Sequence, residues 1–183
     1  MYPVAPVKKT RMLRNTLLDF FEDVAAARGE FFVYDDGFRA RSYTYAEVGS
    51  AARGFAARLQ AVGLRKGDKV VLWSENRPEW IIALWGCLLS GSIAVPIDYR
   101  ASPEFLARVR AIVQAPIVLV GDDVELSPAA TVPGVAVWRL RDLDHDAVVA
   151  GLKPGATSGT GGGQVSPAIT RDTVVEIIFT SGA

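Results

Sequence analysis

Three short apolar runs, alternating with helical segments, constrain this chain more than any other feature. Residues 69–73, 93–97 and 117–120 read Lys-Val-Val-Leu-Trp, Ile-Ala-Val-Pro-Ile and Ile-Val-Leu-Val. A strand that is apolar at nearly every position is buried on both faces, which is the mark of a parallel sheet covered by helices. Between the first two runs, Pro78 suits the first turn of a helix, where its missing N–H costs nothing. Trp80, Ile81, Leu84, Trp85 and Leu88 continue that helix, and Gly91 stops it. Ser102-Pro103-Glu104 opens another helix reaching to about Gln114. Strands and helices alternating at this spacing predict an α/β fold, layered, with a mainly parallel sheet flanked by helices. The order of the strands does not follow from the pattern.

Ahead of this layer the chain predicts a helix and a β-hairpin. Leu17, Leu18, Phe21, Val24 and Ala25 share one face of a helix over residues 13–28, ended by Gly29. Phe31-Phe32-Val33-Tyr34 and Arg41-Ser42-Tyr43-Thr44 read as strands about an Asp36-Gly37 turn. Thr44-Tyr45-Ala46-Glu47 has the spacing of a capping box. Behind it, Val48, Ala52, Phe55, Leu59 and Val62 recur at helical period, with Gly63 as the stop.

Composition excludes several classes. Lys plus Arg and Asp plus Glu are 20 each, so net charge gives no basic face for nucleic acid. Lys8, Lys9, Arg11 and Arg14 read as a solvated arm. Cys87 is the only cysteine, which leaves no intrachain disulfide, and its apolar surroundings read as a buried structural thiol. His145, the only histidine, stands among Asp142, Asp144 and Asp146, a polar turn rather than a metal cage. The basic N-terminus is followed by no apolar signal core, and the apolar stretch from Trp80 to Pro96 is shorter than a membrane span needs. A cytoplasmic, soluble protein with no membrane span is expected. Residues 151–170 hold Gly155, Gly159, Gly161, Gly162 and Gly163, and read as a flexible linker. The expected division is an α/β subdomain over 1–150, that linker over 151–170, and a last strand with the start of a phosphate loop over 171–183.

The last ten residues carry the chemistry. Val174-Val175-Glu176-Ile177-Ile178-Phe179 reads as a buried strand, and it runs into Thr180-Ser181-Gly182-Ala183. A strand opening into such a turn aims backbone N–H groups and hydroxyls at phosphate oxygens. Thr157-Ser158-Gly159-Thr160-Gly161-Gly162 imitates this, but no apolar strand feeds it and no lysine follows. Neither G-x-G-x-x-G after residues 71–73 nor G-x-x-x-x-G-K-[ST] anywhere is present, which weighs against a dehydrogenase and a P-loop ATPase. Asn76 is expected to cap the following helix and Arg77 to be exposed; Tyr99 and Arg100 are read in the same way. Trp73, Trp80, Trp85 and Trp138 are expected in the core.

Four blocks now stand in order: Tyr43-Thr44-Tyr45-Ala46-Glu47, residues 63–70 (Gly-Leu-Arg-Lys-Gly-Asp-Lys-Val), Asn76-Arg77-Pro78-Glu79-Trp80, and residues 91–97 (Gly-Ser-Ile-Ala-Val-Pro-Ile). With Phe179-Thr180-Ser181-Gly182 they resemble the adenylate-forming superfamily of acyl-CoA synthetases, firefly-type luciferases and peptide-synthetase adenylation domains. The terminal block is similar to the start of the family's T-S-G-T-T-G-x-P-K-G loop, with Ala183 where the family has Thr or Ser. The resemblance implies a two-step reaction: a carboxylate attacks the α-phosphate of Mg-ATP, then CoA thiol displaces AMP. It assigns Thr180, Ser181 and Gly182 to the grip on the β and γ phosphates, and implies ATP, Mg and CoA as cofactors of a parent enzyme. The loop lysine, the adenine and ribose motifs, the metal-coordinating glutamate and the adenylation lysine have no counterpart here.

The expectation is therefore an N-terminal fragment of a long-chain fatty acyl-CoA synthetase. The fragment itself should be inactive, with no catalytic or metal residue of its own, and should self-associate as a homodimer or otherwise through uncovered apolar surface. The enzyme alternatives are a fatty-acyl-AMP ligase or an aryl- or amino-acid-adenylating enzyme. The alternative of another class is a short non-catalytic binding or oligomerisation module derived from this family.

Overall fold

The computed structural model describes residues 14–124, 134–145 and 168–179. The chain opens with α1 (Leu17–Ala25), shorter than the sequence pattern suggested. Its start is set by Thr16, whose hydroxyl accepts from Asp19 N at 3.2 Å while the Asp19 carboxylate accepts from Thr16 N at 3.0 Å. This reciprocal cap satisfies two N–H groups that the first turn leaves without partners. A hairpin of β1 (Glu30–Asp35) and β2 (Ala40–Thr44) follows, antiparallel, with Gly37 at φ 86° in its turn. The second reciprocal cap falls at the expected Thr44 and Glu47, and opens α2 (Tyr45–Ala61).

The main sheet holds β3 (Lys69–Ser74), β4 (Ile93–Asp98), β5 (Ile117–Val120) and β6 (Ala136–Arg139), all parallel, in the order β4-β3-β5-β6. α3 (Pro78–Ser90) joins β3 to β4, and α4 (Pro103–Val113) joins β4 to β5. The parallel α/β fold is thus as expected. The strand β6 and the 3-10 turn over Leu140–His145 were not legible in the pattern. Residues 136–139 are only partly buried, so they lack a core strand's continuous apolar run. Leu140 and Leu143 nevertheless seal the core with no exposure at all.

Side chains alternate across the sheet. Val70, Leu72, Ala94, Ile117 and Leu119 face α2, α3 and the 3-10 turn. Val71, Trp73, Val95, Ile97, Val118 and Val120 face α4. α2 and α3 pack closely because Gly86 has no side chain: a Cβ there would lie 2.4 Å from Phe55 Cδ1. The connections leaving β3 and β4 thus lie on opposite faces, which makes the carboxyl ends of these two neighbours a topological switch point.

Residues 174–178 lie along the outer side of β4, but as an isolated parallel bridge between Ala94 and Glu176 rather than the full strand expected. Ala94 N donates to Val175 O at 3.0 Å, and Ile177 N donates to Ala94 O at 2.9 Å. The next rung would need the N–H of the residue two further along β4. That residue is Pro96, which has none. The Gly-rich stretch expected to be a linker lies, but for residues 168–170, outside the described residues, as does the imitation phosphate loop within it.

Candidate functional site

The carboxyl edge of the sheet is built from the loops after β3, β4 and β5. The loop after β3 and the loop after β5 are locked together. Gly121 N donates to Trp73 O at 3.0 Å, which carries the β3–β5 ladder one residue past β5. Glu75 then reaches across, and its carboxylate accepts from Asp122 N at 3.0 Å and Asp123 N at 3.4 Å. It can do so only because residue 121 is glycine. A Cβ at that position would sit 1.9 Å from Glu75 Oε2.

Arg77 ties the cluster off. Its guanidinium donates to Glu79 at 2.7 and 3.3 Å and to Glu75 at 3.1 Å, and pairs with Asp122 at 2.7 Å. Arg141 meets the other oxygen of Asp122 at 3.3 Å, and Arg139 donates to Gly121 O at 3.1 Å. The Arg77 side chain is 12% exposed, so this is a largely buried pairing in which one charge depends on the others. Burial alone would favour neutral Arg77, but the carboxylates of Glu79 and Asp122 outweigh it and hold the guanidinium above its ordinary value. Burial would likewise raise Glu75, yet its own and the Asp122 backbone N–H, with Arg77, leave it below the usual carboxylate range. Asp122 is lowered for the same reason, burial being overcome by Arg77, Arg141 and Arg139.

Two expectations are corrected here. The N-cap position of α3 is Arg77, which makes no side-chain cap, while Asn76 beside it is exposed. Arg77 is not a surface residue: three carboxylates enclose it. The sequence signal that could have revealed this was Glu75-x-Arg77-x-Glu79, alternating charges two apart at the end of a buried strand. Arg77 gives its donors to Glu75, Glu79 and Asp122, so the cluster forms a braced wall rather than a free anion site.

The loop after β4 is open by comparison. Arg100 is 74% exposed and among the described residues pairs only with Asp98, at 2.8 Å, while its guanidinium lies 5.6 Å from the Tyr99 ring centroid. Hydrogen bonds from Arg100 bring the Asp98 carboxyl down to about 2. Residues 174–179 run parallel to β4, so their Phe179 end heads for this same edge. Ile177 and Phe179 pack on the α4 side of the core. Thr180, Ser181 and Gly182, assigned to the phosphate grip, lie outside the described residues. So do the side chains of Asp144 and His145.

The readings of Cys87 and of the tryptophans hold. Cys87 is fully buried, its thiol pushed up to about 12 by burial against a weaker opposing hydrogen bond from Ser92. Trp73 is in the core, and Trp80, Trp85 and Trp138 pack against it. Among the described residues, no group of three or more His, Cys, Asp or Glu could hold a metal ion, and no helix is long and apolar enough to cross a membrane. A groove of about 620 Å³ lies between the start of α1 and residues 169–175, lined by Leu17, Phe20, Ile169 and Val175. Its lining includes none of the carboxyl-edge residues Glu75, Arg77, Arg100 or Asp122.

A parallel sheet with a switch-point crevice, braced on one side and with residues 174–179 leading toward it on the other, is an α/β arrangement suited to a ligand at its carboxyl edge. The sequence model of the AMP-binding enzyme family matches residues 20–183, and the chain belongs to that family. The crotonobetaine/carnitine–CoA ligase of Salmonella enteritidis is 26% identical over 182 residues, 92% of this chain and 34% of that protein. The L-proline–[L-prolyl-carrier protein] ligase of Streptomyces coelicolor is 30% identical over 152 residues, 76% of this chain and 28% of that protein. Among solved structures, the NpsA N-terminal subdomain of Klebsiella oxytoca in complex with 3-hydroxybenzoyl-AMSN superposes with a TM-score of 0.68 at 22% identity. The match covers 93% of this chain and 38% of that one. The fold is that of the N-terminal subdomain of adenylation domains. These 183 residues span about a third of the length of the first two relatives.

Proposed function

We propose that the chain is the N-terminal part of an AMP-forming ligase that activates a carboxylate as its acyl-adenylate and passes the acyl group to the thiol of CoA. In this reading Thr180, Ser181 and Gly182 begin the grip on the β and γ phosphates of ATP. Their hydroxyls and N–H groups would neutralise the leaving pyrophosphate, and donors fixed in advance lower the barrier because they need not reorganise during the reaction. The observation that supports it is the direction of residues 174–179: parallel to β4, they run toward the carboxyl edge of a switch-point sheet, and Thr180-Ser181-Gly182 follow them in sequence. Magnesium would enter with ATP as part of the substrate. The braced Glu75–Arg77–Asp122 wall keeps the neighbouring loops from collapsing into the crevice. Among the ligases that resemble this chain, CoA recurs as the acceptor, which favours CoA here.

A fatty acid is the proposed carboxylate, in keeping with the overall similarity of the sequence to long-chain fatty acyl-CoA synthetases. The prolyl-carrier protein ligase supports a second reading in which a carrier-protein thiol is the acceptor. The deciding experiment is ATP–pyrophosphate exchange with fatty, aryl and amino acids, on the full-length protein bearing these residues and on the 183-residue polypeptide. The expected result is fatty-acid-dependent exchange and CoA-dependent AMP release by the former, and no exchange by the latter. Exchange with an amino acid and no CoA consumption would replace the first reading by the second. No exchange with any acid would remove both.

A further inference from the structure

Residues 174–179 must meet β4 in one register, because the proposed phosphate grip follows them in sequence. Their own pattern does not choose it. Val175, Ile177 and Phe179 are apolar at alternate positions, so a slip of two residues still turns apolar side chains toward the α4 side of the core. Such a slip would carry everything downstream by about 6.6 Å, at about 3.3 Å per strand residue. A misplacement of about 1 Å can already cost about a hundredfold in rate. From the β4 side, Ala94 supplies an isolated bridge, and Pro96 has no N–H to mark the next rung.

The entry of the segment is fixed elsewhere. Lys66 Nζ donates to Ala168 O, and Arg171 Nη2 donates to Asn15 Oδ1 at 2.8 Å. Thr170 and Thr173 close the turn that carries Arg171: Thr173 N donates to Thr170 O at 3.2 Å, and Thr170 N to Thr173 Oγ1 at 2.9 Å. Both anchors stand on backbone that is itself held. The loop bearing Lys66 is bonded to the start of β4, with Gly67 N donating to Gly91 O at 2.9 Å and Ile93 N to Asp68 O at 2.7 Å. The Asp68 carboxylate accepts from Arg65 N at 2.8 Å and closes that loop on itself. Asn15 is tied to α1, its N–H donating to the Asp19 carboxylate at 3.0 Å. Lys66 therefore sets the entry at Ala168 against the same strand along which residues 174–179 then run.

We propose that Lys66 and Arg171 are positioning residues of the ligase: they pin residues 168–173 at the amino ends of β3 and β4, and so hold Thr180, Ser181 and Gly182 in register for the phosphates of ATP. Neither touches the reacting groups, since about 20 Å of extended chain lies between. The proposal rests on the reading of those three residues as the start of the phosphate grip. Without the anchors the correct register is populated only part of the time, which weakens apparent ATP affinity by that fraction. Bound ATP selects the correct register, so turnover at saturating ATP is retained.

The test uses the full-length protein bearing these residues, with Lys66→Met, Lys66→Arg and Arg171→Met. Both side chains are on exposed residues, so thermal unfolding should be unchanged in all three. In ATP–pyrophosphate exchange the two Met variants are expected to raise the KM for ATP about tenfold, with kcat and the KM for the acid unchanged. Lys66→Arg keeps a charged donor and should restore most of the affinity. Amide hydrogen exchange gives a readout independent of turnover. In both Met variants peptides covering residues 174–179 should exchange about tenfold faster, and those covering residues 69–73 at the same rate. An unchanged KM for ATP, unchanged amide exchange in residues 174–179, or a fall in kcat that Lys66→Arg does not restore would overturn the proposal and leave the activity in place. No pyrophosphate exchange by the unsubstituted protein with any acid would remove the proposed function, and this proposal with it.

Discussion

At the scale of single residues, Gly121 is the position on which the carboxyl edge turns. Its backbone is not in the left-handed region, so the requirement is for space alone. Gly121→Ala puts a methyl where the Glu75 carboxylate lies. Glu75 must then swing away from the Asp122 and Asp123 N–H groups and loosen its contact with Arg77. We expect a loss of about 1–3 kcal/mol in denaturant unfolding, the range for overpacking a well-filled site. In a double-mutant cycle Glu75→Ala should make Gly121→Ala nearly harmless, because the clash and the contact share one partner. Additive losses would refute the coupling. The same cluster sets an acid limit. Glu75 and Asp122 are held below their ordinary values of 4.5 and 3.8, so their contribution is fully present above those values. It is lost as pH falls through the lowered ones. Stability should therefore decline below about pH 4.5, the ordinary value of Glu75. Glu75→Gln should flatten that decline in urea midpoints measured from pH 6 to 3; an unchanged slope would show that the cluster is not responsible.

At the scale of elements, capping decides where helices begin, and one cap was legible while another was not. Thr44-x-x-Glu47 announced α2, since a threonine followed three residues later by a glutamate precedes a clear apolar period. Thr16-x-x-Asp19 does the same for α1 but uses aspartate, and the apolar period around it extends to both sides of the observed helix. Thr44→Ala removes the hydroxyl that accepts from Glu47 N and releases the glutamate that accepts from Thr44 N. A loss of about 1 kcal/mol is expected in thermal or denaturant unfolding, and Thr44→Ser should restore most of it. A loss below about 0.3 kcal/mol for Thr44→Ala would mean that packing of Val48 and Phe55 alone positions α2. The three core strands were readable because continuous apolar runs have few other uses. β6 was not, because its residues are half in solvent and Trp138, which meets Phe55 on one side, also carries the Arg58 guanidinium 4.1 Å from its ring centroid. The ion cluster was missed for a related reason. Charged residues after a strand are usually solvated, and only the three-dimensional return of Gly121–Asp123 to Glu75 turns them into a buried unit.

At the scale of the whole molecule, the sheet is unevenly secured. β3 is hydrogen-bonded along both sides, with Val70, Val71 and Leu72 at zero exposure and helices over both faces. Residues 174–178 have two backbone bonds on one side, and Pro96 blocks a third. Opening such a segment exposes little apolar surface beyond Ile177 and Phe179, whereas opening β3 dismantles both halves of the core. Hydrogen exchange should therefore separate them. Amides of Val71 and Leu72 are expected to exchange only through global unfolding, and the Ile177 amide through local opening, faster by about a hundredfold or more. Since exchange by local opening is insensitive to urea, low denaturant should accelerate the β3 amides and leave Ile177 nearly unchanged. Equal protection of Ile177 and Leu72 would show instead that the segment unfolds with the sheet as one unit.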